Sequence, residues 1–213
     1  MRLAPCGTHD SASVGRHAIA TMIAAMTEST FLTPPGRAWA SASAALAADV
    51  RALAESATGA RVAFIVESAV LAASARFQVA CRGLLAYAAD AIADLVGAEL
   101  GAVLRRAITA DARLGRGNAT SAALARDFQR VGVDIWDLPF PIGSEGMTAR
   151  FALDDATVFR NEIAHGREVD VDEAGLVVAD ALEMIETFDQ ILSVLERGVV
   201  DRLASFTAAG EAE

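Results

Sequence analysis

A stripe of apolar residues near the C-terminus constrains the fold more than any other feature of the sequence. From Val178 to Leu203, apolar side chains recur at intervals of three and four residues, at positions 178, 182, 185, 188, 192, 195, 199 and 203. Because an α-helix turns once in 3.6 residues, this spacing places them along one face of a helix. The stripe predicts a long C-terminal amphipathic helix. We expect that helix to pack on its own bundle and to leave apolar surface for a second copy of the chain.

The remaining sequence is also typical of helices. Hydrophobic residues make up 54% of the chain and aromatic residues only 6%, so the apolar residues are mostly Ala, Val, Leu and Ile. Alanine is the strongest helix former. Helical spacing predicts further helices over residues 37–57, 61–92, 94–108, 122–130 and 147–165. No stretch predicts a strand, so we expect an all-α helical bundle.

The N-terminal part differs from this helical pattern. Residues 1–15 show no periodicity, and the run Thr33-Pro34-Pro35-Gly36 is a strong helix breaker. These features predict a flexible N-terminal extension over residues 1–36, followed by a helical domain over residues 37–213. The first ten residues have no apolar segment of a secretory signal, so a cytoplasmic protein is expected. Charged residues interrupt the apolar runs, so no membrane span is expected.

The charge of the chain limits its partners. The formal charge is −10 and all 18 basic residues are arginines. An acidic chain has no general attraction for nucleic acid, which argues against a broad RNA-binding surface but leaves room for a local arginine cluster in a cleft. The two cysteines lack metal-ligand spacing, and the sequence contains no nucleotide-binding or metalloprotease motif. We therefore expect no metal and no cofactor.

The segment 159–166 carries the residues best suited to chemistry. Asn161 and His165 are four residues apart and share one helix face, which the long side chain of Arg160 can reach. Gly166 is placed just past the predicted helix end, where a left-handed backbone is easiest for glycine. The unpaired carbonyls of the last turn favour a protonated imidazole at His165. An arginine beside a titratable histidine suits the handling of a phosphodiester.

The Arg-Asn-x-x-Ala-His-Gly sequence at residues 160–166 resembles the signature of the HEPN superfamily, in which four to six residues lie between an arginine and a following histidine. The layout over residues 60–205, including Gln78 and the turn 115–118, is similar to that of its RiboL-PSP branch and of a group of bacterial HEPN-like proteins. The resemblance implies an all-helical, dimeric, HEPN-like domain. Many HEPN proteins are metal-independent endoribonucleases that act as toxins or in anti-phage defence.

The resemblance also implies roles for the motif residues. His165 would be the general base or acid, Arg160 would hold the phosphate, and Asn161 would orient His165 or contact the scissile phosphate. A two-fold dimer would supply two copies of the motif to one cleft, and the products would end in a 2′,3′-cyclic phosphate. The expected partners are an RNA substrate, a second copy of the chain, and an antitoxin or defence-system protein. The alternative is a non-catalytic helical module for dimerisation or for binding a nucleotide or protein, which the charge of −10 favours.

Two other polar residues carry structural expectations. Arg82 interrupts an apolar helix pattern, and a buried arginine needs a partner, so an internal salt bridge to Asp90, Asp154 or Asp155 is expected. Asn118 follows Gly117 in a turn and is expected to serve that turn rather than a ligand.

Overall fold

A computed structural model describes residues 32–140, 146–166 and 178–210 of the chain, with side chains of the last helix described to residue 208. These ranges contain six α-helices, two short 3₁₀ helices and no strand. The helices are α1 (Pro34–Ser56), α2 (Ala60–Val96), α3 (Ala98–Thr109), α4 (Ser121–Gln129), α5 (Gly146–Ala164) and α6 (Val178–Gly210). The 3₁₀ helices span Arg113–Gly115 and Ile135–Asp137. The predicted all-α bundle with a long C-terminal helix is confirmed.

The core lies where α6 packs against α1, α2 and α5. At its centre the rings of Phe77 and Phe188 stack with their centroids 4.4 Å apart, and Trp39 meets both rings edge-on. From Ile185 to Leu203 the predicted stripe is buried inside the chain's own bundle. The expectation that this stripe leaves apolar surface for a second copy was therefore wrong.

The predicted breaker at residues 33–36 is a helix start. Pro34 and Pro35 occupy the first turn of α1, where a missing N–H costs nothing because that group has no partner within a helix. The Thr33 hydroxyl caps the helix by accepting from the Gly36 N–H at 3.2 Å. The described bundle therefore includes residues 32–36, ahead of the predicted domain boundary at residue 37. Residues 1–31 of the predicted extension lie outside the described residues.

A buried carboxylate fixes this helix start to α6. Glu196 is 0% exposed, and its oxygens accept from the backbone N–H groups of Leu32 and Thr33, at 2.9 and 2.6 Å. The hydroxyl of Thr33 donates to the same carboxylate. Burial of a charge is tolerated only when hydrogen bonds replace its hydration, and these three donors do so.

Helix α2 has the length and composition of a membrane span. It covers 37 residues, and its most apolar window has a mean hydropathy of 1.5. The core helix of a soluble protein can have the same length and composition, so these two properties do not identify a membrane span. In the described bundle, α2 packs against α1, α3, α5 and α6.

Asp189 on α6 predicts a dependence of stability on pH. Partial burial raises the pKa of its carboxyl above the usual 3.8, and the nearby Glu186 adds to the shift, although hydrogen bonds from Ser43 and Trp39 oppose it. The folded chain therefore binds this proton more readily than the unfolded chain. The contribution to stability is largest at low pH and falls as pH rises from 3.8 through the folded pKa.

We expect wild type to lose stability relative to Asp189→Asn as pH rises through this window, because the amide carries no charge to bury. Urea unfolding of both proteins at a series of pH values measures the difference. Asp49→Asn, at an exposed aspartate on α1, controls for the removal of one carboxylate. A wild type that gains stability relative to Asp189→Asn over the same window would contradict this assignment.

Candidate functional site

The end of α5 places the three motif residues. The helix ends at Ala164, and the His165 N–H still donates to the carbonyl of Asn161 at 3.0 Å. Gly166 follows with φ of +63°, so the predicted left-handed position just past the helix end is confirmed. His165 is exposed, whereas Arg160 and Asn161 are half-buried. The end of α5 therefore carries an exposed imidazole, five residues after a half-buried arginine.

The side chain of Asn161 organises its neighbours. Its Oδ1 atom accepts from a guanidinium nitrogen of Arg160 at 3.1 Å and from Nδ2 of Asn118 at 2.8 Å. The structure thus joins two of the predicted site residues and adds a third from the distant turn. No hydrogen bond joins the imidazole of His165 to any side chain in the described ranges. Asn161 therefore positions Arg160. Its two predicted roles, to orient His165 or to contact the scissile phosphate, stay predictions.

Asn118 is held by the turn that precedes α4. Its carbonyl accepts from the Thr120 N–H at 2.9 Å. On the other side of the turn, Nε2 of Gln78 donates to the carbonyls of Leu114, at 3.1 Å, and Gly117. Asn118 serves the turn, as expected, and also reaches across to α5. Nothing in the sequence near Asn118 predicted this second role.

Helices α4 and α5 are fixed to each other beside the site. The carboxylate of Asp154 accepts from the N–H of Ser121 at 3.1 Å and from its hydroxyl at 2.7 Å. A carboxylate at a helix N-terminus is stabilised by the unpaired N–H groups there. Thr120 caps α4 by accepting from the Ala123 N–H at 3.1 Å. These contacts set the position of Asn118 relative to Arg160.

A small cavity lies between this network and the core. Its volume is about 60 Å³, which holds a few water molecules and no nucleotide. Its polar lining consists of Ser74, Gln78, Asn118, Thr157 and Arg160. The Ser74 hydroxyl is buried there without a hydrogen-bond partner among the described residues. A substrate as large as RNA would have to bind on the outer side of Arg160, where His165 is exposed.

Two other candidate residues have structural positions that limit their roles. Arg82 is exposed, and two of its three expected partners are engaged elsewhere: Asp90 pairs with Arg105 at 2.6 Å, and Asp154 binds Ser121. The expectation of a buried, internally paired Arg82 was therefore wrong. Cys81 is fully buried, and burial raises the pKa of its thiol, which leaves it unreactive.

The described residues contain no group of three or more His, Cys, Asp or Glu side chains placed to hold a metal ion. Comparison of the chain with protein-family models, curated protein sequences and solved structures gives no match.

Proposed function

We propose that the chain is a metal-independent endoribonuclease of HEPN type. The observation that carries the proposal is the hydrogen-bonded series Asn118–Asn161–Arg160, with an exposed His165 four residues after Asn161 in the chain. A prepositioned guanidinium and an accessible imidazole are the two groups that RNA cleavage needs most. The resemblance of residues 160–166 to the HEPN signature points to the same chemistry.

RNA carries its own nucleophile, so the protein has three tasks. A base accepts the proton of the 2′-OH as that oxygen attacks phosphorus, and an acid protonates the 5′-oxygen as the P–O5′ bond breaks. A cation stabilises the charge on the phosphoryl oxygens. Arg160 would perform the third task with two parallel N–H donors, and its bond to Asn161 limits the loss of rotamer freedom on binding. His165 would act as base or acid.

One copy of the motif supplies one histidine, His165, and one arginine, Arg160. We therefore propose a homodimer with a shared cleft. Its support is an apolar face on α5: Met147, Phe151 and Val158 are 65%, 61% and 56% exposed. Val158 follows Phe151 by seven residues and His165 follows Val158 by seven, so all three lie on one side of the helix axis. A two-fold contact along this face would bring two copies of His165 towards one cleft.

We expect light scattering to give the mass of a dimer for wild type at micromolar concentration and of a monomer for Phe151→Asp. The added carboxylate would lose its hydration on entering an apolar interface. Phe64→Asp is the matched control, since Phe64 is 70% exposed on α2 and outside the proposed contact. A wild type that is monomeric at this concentration would contradict the shared cleft, and so would a dimer that survives the Phe151 substitution.

Metal independence provides the test of the proposed function. We expect purified protein to cleave a labelled single-stranded RNA in EDTA, because the mechanism uses only side chains and the substrate hydroxyl. Arg160→Lys, purified in parallel, excludes a contaminating nuclease. Activity that chelation abolishes and magnesium restores would overturn the mechanism.

The cellular setting follows from the same proposal. We place the protein in the cytoplasm as a toxin or anti-phage effector, restrained by an antitoxin or another defence-system protein. Expression of wild type would then arrest growth, whereas expression of His165→Ala would not.

A second candidate function is a non-catalytic module that binds an apolar helix of a partner protein. An apolar groove of about 540 Å³ between α1 and α2 favours it, with Ala38, Val79 and Gly83 among its lining residues. Under this candidate, Val79→Asp removes binding to the product of a neighbouring gene, and Arg160→Lys leaves that binding unchanged. Under the ribonuclease proposal, Arg160→Lys removes RNA cleavage.

A further inference from the structure

A second concave surface adjoins the candidate site on the side of α4. We call it the arginine groove; it has a volume of about 770 Å³ and is formed by the turn before α4 and the first turns of that helix. Its charged and polar lining consists of Asp111, Arg113, Arg116, Asn118, Thr120 and Arg126. None of the described residues that line it is aromatic.

The groove lies in a basic part of an acidic chain. Residues 105–130 carry six arginines and two aspartates, whereas the whole chain has a formal charge of −10. Of the two aspartates, Asp127 is buried and accepts from the Leu114 N–H at 2.8 Å. Asp111 pairs with Arg116 at the edge of the groove. The local excess of positive charge among the described residues is therefore exposed.

The arginines of this region are of two kinds: some hold the fold through hydrogen bonds or an ion pair, and others are exposed without an acidic partner in the described ranges; we call the second kind uncommitted. Arg130 donates to the carbonyls of Ile108 and Ala110, at 2.9 and 2.5 Å, and so ties the end of α3 to the end of α4. Arg113 and Arg126 are exposed and have no acidic partner within the described ranges. Two uncommitted guanidinium groups that face one groove are suited to an anionic ligand.

Asn118 connects the groove to the candidate site. It lines both the groove and the small cavity that Arg160 also lines, and its side chain donates to Asn161. The groove and the small cavity lined by Arg160 therefore meet at Asn118. Thr120 caps α4 at this point, so the positive end of the helix dipole also faces the groove.

We propose that the arginine groove binds the phosphate backbone of single-stranded RNA next to the scissile phosphate. The inference rests on the proposed ribonuclease function for the choice of RNA as the polyanion. Because the lining has arginines and no aromatic ring, recognition is of phosphates rather than of stacked bases. Binding should therefore depend steeply on salt and little on base sequence.

The test measures binding of a fluorescein-labelled single-stranded RNA of about twelve nucleotides by fluorescence anisotropy. The reference protein is the full chain with His165→Ala, which prevents cleavage during the titration. We compare it with the same chain carrying Arg113→Ala, Arg116→Ala and Arg126→Ala as well. The control carries Arg51→Ala, Arg61→Ala and Arg82→Ala instead, which removes the same charge from exposed positions elsewhere. A fourth protein carries Arg→Lys at positions 113, 116 and 126 and so keeps the charge of the groove.

We expect the groove variant to bind at least about 10-fold more weakly. The slope of log K against log salt should fall by about 1.4 for the two phosphate contacts of Arg113 and Arg126, since Arg116 already pairs with Asp111. The control and the Arg→Lys protein should retain most of the binding. Equal weakening of the groove variant and the control, or no weakening of either, would overturn the inference.

Cleavage assays separate this inference from the proposed function. If the groove arginines are required for RNA binding while wild type does not cleave RNA, the groove assignment stands and the ribonuclease proposal fails. If the triple alanine variant cleaves RNA with an unchanged KM, the groove assignment fails and the ribonuclease proposal stands.

Discussion

Replacement of His165 by alanine should lower the rate of RNA cleavage by about 10²–10⁴-fold, the range expected for loss of a proton carrier. Stability should change little, by less than about 1 kcal/mol, because His165 is exposed at a helix end and its ring has no hydrogen-bond partner in the described ranges. Single-turnover cleavage assays and thermal melting of the same preparations measure the two effects.

Arg160→Lys should lose most of the activity for a different reason. A lysine keeps the charge but cannot make two parallel hydrogen bonds to a phosphate, and it would not keep the planar contact with Asn161. Arg150→Lys is the matched control, since Arg150 is an exposed arginine ten residues earlier on the same helix. If the control loses as much activity as Arg160→Lys, the effect belongs to charge or folding and not to the site.

The outcome that contradicts this account is also clear. If His165→Ala cleaves RNA as fast as wild type, the imidazole has no catalytic role. If the variant is inactive but also melts far below wild type, His165 is structural and the ribonuclease proposal loses its main residue.

Removal of the buried carboxylate should have the largest effect on stability. We expect Glu196→Ala to lower the free energy of unfolding by roughly 2–4 kcal/mol, because it leaves the N–H groups of Leu32 and Thr33 buried without an acceptor. For a chain of this size, each kcal/mol of lost stability lowers Tm by about 2–4 °C. Glu186→Ala, at an exposed glutamate on the same helix, should change stability by less than about 0.5 kcal/mol.

The single tyrosine of the chain gives a second readout of this carboxylate. Burial raises the pKa of Tyr87, and the negative charge of Glu196 raises it further, whereas Arg37 lowers it. Glu196→Gln removes the charge and should therefore lower the midpoint of the tyrosine absorbance titration. An unchanged midpoint, or equal melting of Glu196→Ala and Glu186→Ala, would contradict the proposed arrangement around Glu196.

Local periodicity and capping rules were sufficient to predict most of the fold. The apolar intervals from residue 178 to 203 define α6, Thr120 caps α4, and Gly166 has the left-handed backbone expected after α5. These features depend on residues within a few positions of one another. The breaker at residues 33–36 was misread because prolines disrupt a helix interior but fit its first turn.

Contacts between distant residues could not be predicted in the same way. Glu196 is 163 residues from Thr33, and nothing local distinguishes it from the other acidic residues of α6. Asn118 is 43 residues from Asn161. The sequence predicted a turn for Asn118 and a helix for Asn161, but not the hydrogen bond between them. Arg82 was expected inside because its neighbours are apolar, yet it lies on the outer face of α2.

The most direct test of the ribonuclease account examines the ends of the products. Wild type is incubated with a single-stranded RNA in EDTA, and in parallel with the same sequence carrying 2′-deoxy sugars at every position; mass spectrometry then identifies the termini. The account predicts cleavage of the RNA alone, with 2′,3′-cyclic phosphate and 5′-hydroxyl ends, because the 2′-oxygen is the nucleophile. Cleavage of the deoxy strand, or RNA products with 5′-phosphate and 3′-hydroxyl ends, would contradict it.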